Sequence, residues 1–154
     1  MTLEELEARI KLLEDTEAIS KMTSKFAYFI DAQNWQAAAD LFIEDAEFDT
    51  GLGIYQGKND ITRFLREVLP SSFSFTVHMI HNPVIEVEGV NASGEWYLEV
   101  PVTQVPSNRA LWAAAKYEAT YIKIDREWKF KTLASRIYYI TPFDEGWAQT
   151  KMAS

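Results

Sequence analysis

After Ser74 the sequence changes period, and the change limits the folds open to it. Upstream, Ile19, Met22, Phe26 and Ile30 recur at the spacing of one helical face. Downstream, apolar and polar residues alternate, which predicts strands near 75–88, 92–105, 110–124 and 128–141. Gly89-Val90-Asn91 and Pro106-Ser107-Asn108 read as turns, and Asp125-Arg126 has the two-residue spacing of a hairpin. Connections this short require antiparallel neighbours. Helices followed by a meander define an α+β domain. Strands this long must twist and curl. A curled sheet closed by the front helices makes a cone, and its apolar mouth suits a small molecule.

The helical front has its own punctuation. Thr2-Leu3-Glu4-Glu5 reads as a capping box that opens a helix through about Leu13, with Asp15-Thr16 able to restart or continue it. Asn34 can cap a second helix, Gln36 to about Ile43. Glu47-Phe48-Asp49-Thr50 looks like a short strand, with Ile54 to Gln56 pairing back across a glycine turn. A third helix is predicted from Ile61 to Leu69, stopped by Pro70. No repeat or linker interrupts the pattern, so residues 1–154 are read as one domain.

Composition narrows the function. Apolar residues make up 47% and aromatics 14%, enough for a core and a lined pocket. The net charge is −8 and no basic stripe is visible, which argues against nucleic acid and anionic membrane as partners. With no cysteine there is no thiolate chemistry and no disulfide. No apolar run approaches the roughly 20 residues of a membrane span. Met1-Thr2-Leu3-Glu4-Glu5 lacks the charged-then-apolar order of a leader, so a cytoplasmic location is expected.

Only two histidines are present, His78 and His81. Histidine is the side chain whose charge most readily changes near neutral pH. A carboxylate beside one of them would make an acid–base pair without a metal, and Asp31, at the end of the long helix, is the candidate. The plain readings are a strand histidine packed with one hydrogen bond and a helix-end carboxylate acting as a cap. Parity bears on which histidine turns inward. His81 shares parity with Ile85 and Val87, whereas His78 shares it with Thr76 and Ile80. A bulge near Asn82-Pro83 would exchange the faces. Residues three apart on a strand point to opposite faces, so His-x-x-His is not a metal pair, and neither metal nor cofactor is expected.

Other polar groups could join such a pair. Tyr28 lies three residues before Asp31, and Tyr55 and Tyr117 are further hydroxyl donors or core aromatics. Arg136 shares parity with Trp128 and Phe130 and could reach into the cone, or else form a surface ion pair. Trp96 and Val100 fall on one strand face. Ala113-Ala114-Ala115 leaves room for a ligand or for a neighbouring chain.

Several motifs carry a family resemblance in their order and spacing. They are Asp31-x-x-x-Trp35, Leu41-Phe42-x-x-Asp45-Ala46, Tyr55-x-Gly57-x-x-x-Ile61 and His78-x-x-His81-x-Pro83-x-Ile85. Ala92-x-Gly94-x-Trp96-Tyr97-Leu98 and Thr141-Pro142-x-Asp144-Glu145-Gly146-Trp147 complete the set. With them the chain resembles the SnoaL-like group of the NTF2-like superfamily, and within it the bile acid 7α-dehydratases and, more distantly, the scytalone dehydratases. The resemblance implies a cone-shaped, cofactor-free dehydratase with His78 and Asp31 as its dyad, assisted by a tyrosine, for which Tyr28 is the choice here. It implies a dimer or trimer. The departures are Phe26 in place of a tyrosine, Val100 in place of a carboxylate, and Val102 near the position of a second histidine.

The expected function is therefore a dehydratase, or a related isomerase or cyclase, acting on a hydrophobic polycyclic, steroid-like or aromatic small molecule. Phe26, Tyr55, Trp96, Val100, Val102, Tyr117 and Arg136 are its expected binding residues. The alternative is a non-catalytic binding or assembly module on the same scaffold, which the apolar Phe26, Val100 and Val102 favour.

Overall fold

A single helix, α1 (Leu3–Asp31), runs where two were expected. It begins as the sequence predicts: the Glu5 N–H donates to Thr2 Oγ1 at 3.1 Å, and the Thr2 N–H to the Glu5 carboxylate at 2.8 Å. No glycine or proline interrupts residues 3–31, so nothing stops propagation at Leu13. The computed structural model describes all residues, 1–154.

After α1 come α2 (Trp35–Ala39), β1 (Phe42–Asp49), β2 (Ile54–Gln56) and a three-part helical segment. That segment is α3 (Lys58–Arg63), a π-helical stretch (Phe64–Val68) and α4 (Leu69–Ser72). The second helix is thus shorter than expected, because β1 already begins at Phe42. Pro70 does not end the third. A proline ring clashes with the carbonyl four residues earlier and lacks an N–H. Here the backbone before it widens into π turns, which accommodate the ring.

The remaining elements are β3 (Phe73–Thr76), β4 (Met79–Glu88), β5 (Asn91–Gln104), β6 (Arg109–Ile124) and β7 (Glu127–Pro142). The sheet order is β2-β1-β7-β6-β5-β3, with β4 also on β5. The expected first long strand is therefore two strands, separated at Val77 and His78. The meander is antiparallel as predicted. In the β6–β7 hairpin Asp125 and Arg126 both take positive φ, 50° and 70°, as a primed two-residue turn demands. One pairing is not antiparallel: β1 lies parallel to β7, Phe42 opposite Phe130 and Phe48 opposite Leu133.

Three bulges in the meander set which side chains face inward, one of them at Tyr138, where Ala114 opposes Tyr139 and Ala115 opposes Ile137. The β4–β5 register shifts between His81 and Val84, where Asn82 takes φ 52°. The β6–β7 register shifts at Lys131, since Tyr121 opposes Phe130 while Thr120 opposes Thr132. Helix α1 packs across the inner face of the curled sheet. At the narrow end Phe26 meets Phe42 and Phe130 with ring centroids 5.4 and 5.3 Å away. Below them the Tyr121 hydroxyl joins Thr23 Oγ1 at 2.9 Å and receives the Trp96 indole N–H at 3.1 Å. No helix is long and apolar enough to cross a membrane.

Candidate active site

The gap between β3 and β4 creates the polar end of the cone. In an uninterrupted strand the His78 N–H would belong to the ladder. Here Val77 keeps one ladder bond, to the Pro101 carbonyl at 3.1 Å, and the His78 N–H turns away. It donates to Asp31 Oδ2 at 2.8 Å. The same carboxylate accepts from the ring: His78 Nδ1 lies 2.7 Å from Oδ1. The Thr76 hydroxyl donates to that oxygen at 3.1 Å. Asp31 thus fixes backbone and ring together. An ionised carboxylate is an acceptor only, so the ring proton sits on Nδ1 and Nε2 keeps its lone pair.

Burial pushes the Asp31 carboxyl up. The hydrogen bonds from the His78 ring and backbone, the imidazole charge and the Thr76 hydroxyl outweigh it, and the group lies below the usual carboxylate value. Asp31 is therefore ionised at neutral pH and able to balance an imidazolium.

His78 forms part of the wall of a cavity of about 270 Å³. Phe64, Leu65 and Val68 of the π-helical segment cover one side, and Leu98, Val100 and Val102 of β5 form another. Ala113 and Ala115 of β6 and Ile137 and Ile140 of β7 make the far wall, and Leu52 stands exposed at the mouth. The small alanines of β6 hold the space open, one of the two uses expected of that run. No lysine, arginine, aspartate or glutamate lines the cavity, and His78 is the one histidine on its wall.

The other residues singled out from sequence divide into two groups. Tyr55, Val100, Val102 and Tyr117 line the cavity beside His78. Phe26, Trp96, Tyr28 and Arg136 do not. Phe26 is fully buried in the aromatic cluster below, and Trp96 is held by Tyr121. Tyr28 is 72% exposed on the solvent face of α1, because the helix buries Ala27 and Ile30 beside it. Arg136 points outward, 2.9 Å from Asp49 and 3.6 Å from Glu118. The extra residue at Lys131 reverses its parity relative to Trp128 and Phe130. His81 is on the outer face as well, its Nε2 3.5 Å from Glu99. Thr76 and Ser135 are the site residues the sequence reading did not assign. Thr76 shared the parity of His78, which was the available signal, whereas the bulge concealed Ser135.

Comparison with known proteins agrees with this architecture. The profile of the SnoaL-like domain matches residues 11–134. A hexachlorocyclohexane dehydrochlorinase (LinA, type 2) superposes with a TM-score of 0.83 at 26% identity, covering 88% of this chain and 93% of its own. A scytalone dehydratase-like protein from Novosphingobium aromaticivorans gives 0.77 at 24% identity, over 85% and 89%. An NTF2-like superfamily protein from Salmonella enterica gives 0.73 at 17% identity, over 84% and 95%. The last two likenesses are statements about fold alone.

Proposed function

Because this chain belongs to the SnoaL-like domain family, within the NTF2-like superfamily, we propose that it is a cofactor-free lyase that removes a proton from carbon and expels a neighbouring group. The observation that carries the proposal is the Asp31–His78 couple at 2.7 Å, made through Nδ1 by a histidine that lines an apolar cavity. Nε2 takes the proton, the C–H electrons become the new double bond, and the leaving group departs with its own electron pair. When hydroxide leaves, the imidazolium returns the proton to it and water is formed. When halide leaves, the proton passes to solvent. Asp31 holds the ring and offsets its charge throughout. General acid–base assistance of this kind is worth roughly 10²–10⁴-fold.

The cavity favours a neutral, compact substrate of one or two rings. Its volume of about 270 Å³ falls just below the range of roughly 300–1,000 Å³ usual for ligand pockets. That supports the aromatic part of the expected substrate range over the four-ring, steroid-like part. A lining without cations offers a carboxylate or phosphate no counter-charge. Dehydration of a cyclic β-hydroxy ketone is the preferred reaction, and the dehydrochlorinase likeness makes a chlorinated cyclohexane the second choice. Val100 and Val102 suit a binding module without chemistry equally well, but such a module has no use for a histidine held by one carboxylate at both its backbone N–H and its ring Nδ1.

The test is to incubate the protein with cyclic β-hydroxy ketones and with hexachlorocyclohexane and follow loss of substrate by mass spectrometry. Turnover that His78→Ala lowers at least a hundredfold is expected. No product from any compound, or a His78→Ala rate within a few-fold of the parent, overturns the proposal.

A further inference from the structure

The far wall of the cavity carries two hydroxyls that the protein leaves without partners. Tyr117 and Ser135 are direct cross-strand neighbours on β6 and β7, and both face inward. Tyr117 is 4% exposed and Ser135 is 9% exposed, yet both line the cavity. Neither hydroxyl meets a hydrogen-bonding atom of the chain. The Lys131 bulge is what puts Ser135 there, since it brings Leu133, Ser135 and Ile137 to the inner face and sends Arg136 out.

Such a pair is unusual. Most polar groups on buried residues find a protein partner, whereas these two hydroxyls open only onto the cavity. Elsewhere one buried side-chain polar atom lacks a partner, the Trp112 indole N–H, which lies outside the cavity; other buried polar groups are paired. Thr23, Trp96 and Tyr121 satisfy one another a short way down the cone, and Asp15 is satisfied by Lys123 and Trp128. The orphan hydroxyls concentrate where the cavity is. Phenylalanine and alanine would keep the shape without the hydroxyls, so the pair gives this apolar wall hydrogen-bonding capacity that only something entering the cavity can use.

We propose that Tyr117 and Ser135 form an oxygen-binding subsite across the cavity from His78, which selects a substrate carrying a ketone or hydroxyl remote from the carbon that loses its proton. This rests on the elimination reading above and adds a second point of attachment to it. The geometry gives the two poles different tasks. His78 is held at the gap between β3 and β4, whereas Tyr117 stands opposite Trp96, four residues along β5 from the Val100 that faces His78. That offset is about 13 Å along the strands, and the length of the tyrosine ring closes part of it. Burial, and in smaller part the charge of Asp31, pushes the phenol far above its ordinary value. Tyr117 therefore remains a donor at any working pH. Ser135 can donate or accept as its rotor turns, which suits a second oxygen or a hydroxyl. A hydrocarbon or fully halogenated ring cannot satisfy either group.

The test uses 1-indanone and indane, which share a skeleton and differ by the oxygen. Their affinities are measured by amide chemical-shift titration for the parent, Tyr117→Phe and Ser135→Ala, each checked for an unchanged melting temperature. Loss of one neutral hydrogen bond corresponds to about tenfold in affinity. Tyr117→Phe is expected to weaken indanone by about that factor and to leave indane within twofold. Ser135→Ala is expected to act in the same direction and less. Equal effects on both ligands would mean a packing role and would overturn the subsite, as would no effect on either or no binding of indanone by the parent. Binding is read without turnover, so the two proposals fail separately. Absent chemistry shows as no product with the ketone preference intact, and an absent subsite shows as loss of the preference.

Discussion

Asp31 and His78, 47 residues apart in the chain, share two hydrogen bonds, one to the backbone at 2.8 Å and one to the ring at 2.7 Å. The carboxylate thereby fixes the tautomer as well as the position. We expect ¹⁵N correlation spectra to show His78 with its proton on Nδ1 in the parent. Asp31→Asn puts an amide donor beside the same nitrogen and should disturb that pattern, while the outward His81 is unaffected. A His78 that exchanges freely between tautomers in the parent would remove the basis of the mechanism.

The same carboxylate should make stability depend on pH. Asp31 lies below its ordinary value in the folded protein, so near pH 4 the unfolded chain binds more protons than the folded one. Its contribution is complete above the unfolded value of about 3.9 and is lost as pH falls through the folded value. Urea midpoints of the parent and Asp31→Asn should therefore differ most near neutrality and converge in acid. A gap that stays constant down to pH 3 would contradict this.

A second buried carboxylate ties helix to sheet. Asp15 accepts Lys123 Nζ at 2.7 Å and the Trp128 indole N–H at 3.0 Å. Removing one partner of a buried ion pair is far more damaging than replacing both. Lys123 is about a quarter exposed and Asp15 keeps the Trp128 N–H, so Lys123→Met should cost about 1–3 kcal/mol, and the double variant Asp15→Leu/Lys123→Met should cost less than that single change. Chemical denaturation of the three proteins decides it.

Filling the cavity should abolish binding without unfolding the protein. Ala113 lines the space and packs at the edge of the core. Ala113→Phe adds apolar volume where there is a void, so the melting temperature should hold or rise while indanone binding is lost. Retained binding would mean that the ligand sits elsewhere.

The first turns of α1 carry another expectation. Residues 1–14 are all exposed, and Leu3, Leu6, Ile10 and Leu13 recur at intervals of three and four along them. That is the stripe of a helix seeking a partner, and self-association through it accords with the sequence-based expectation of a dimer or trimer. Sedimentation should show an oligomer that Leu6→Glu/Ile10→Glu reduces to monomer. A monomeric parent would leave the stripe unexplained.

Much of this was legible before the coordinates. Alternation gave three of the four long strands, because side chains on a half-buried sheet obey a period of two, and missed only the break that splits the first at Val77 and His78. The Asp31–His78 couple followed from the motif resemblance, and its geometry is what the structure adds. Reading failed where backbone irregularity broke the period. One inserted residue at Lys131 moved Arg136 out of the cone and Ser135 in, and nothing in Phe130-Lys131-Thr132 announces it. Asn82-Pro83 was different, since a proline with an asparagine before it is a visible reason for a strand to bulge. Tyr28 was misleading because three residues on a helix are neighbours without sharing the buried side. Pro70 marked a change of helix type rather than an end.

The parallel seam between β1 and β7 joins Phe42 to Phe130, and it bears on synthesis. A nascent chain can bring Asp31 to His78 when half of it has left the ribosome. Its far wall is incomplete until β7 emerges, and β1 has no neighbour on that side before then. Contacts of such long sequence separation form slowly, so the emerging polypeptide leaves a greasy strand and an unfinished vessel open to chaperones. Ligand can be captured only once β7 has taken its place between β1 and β6.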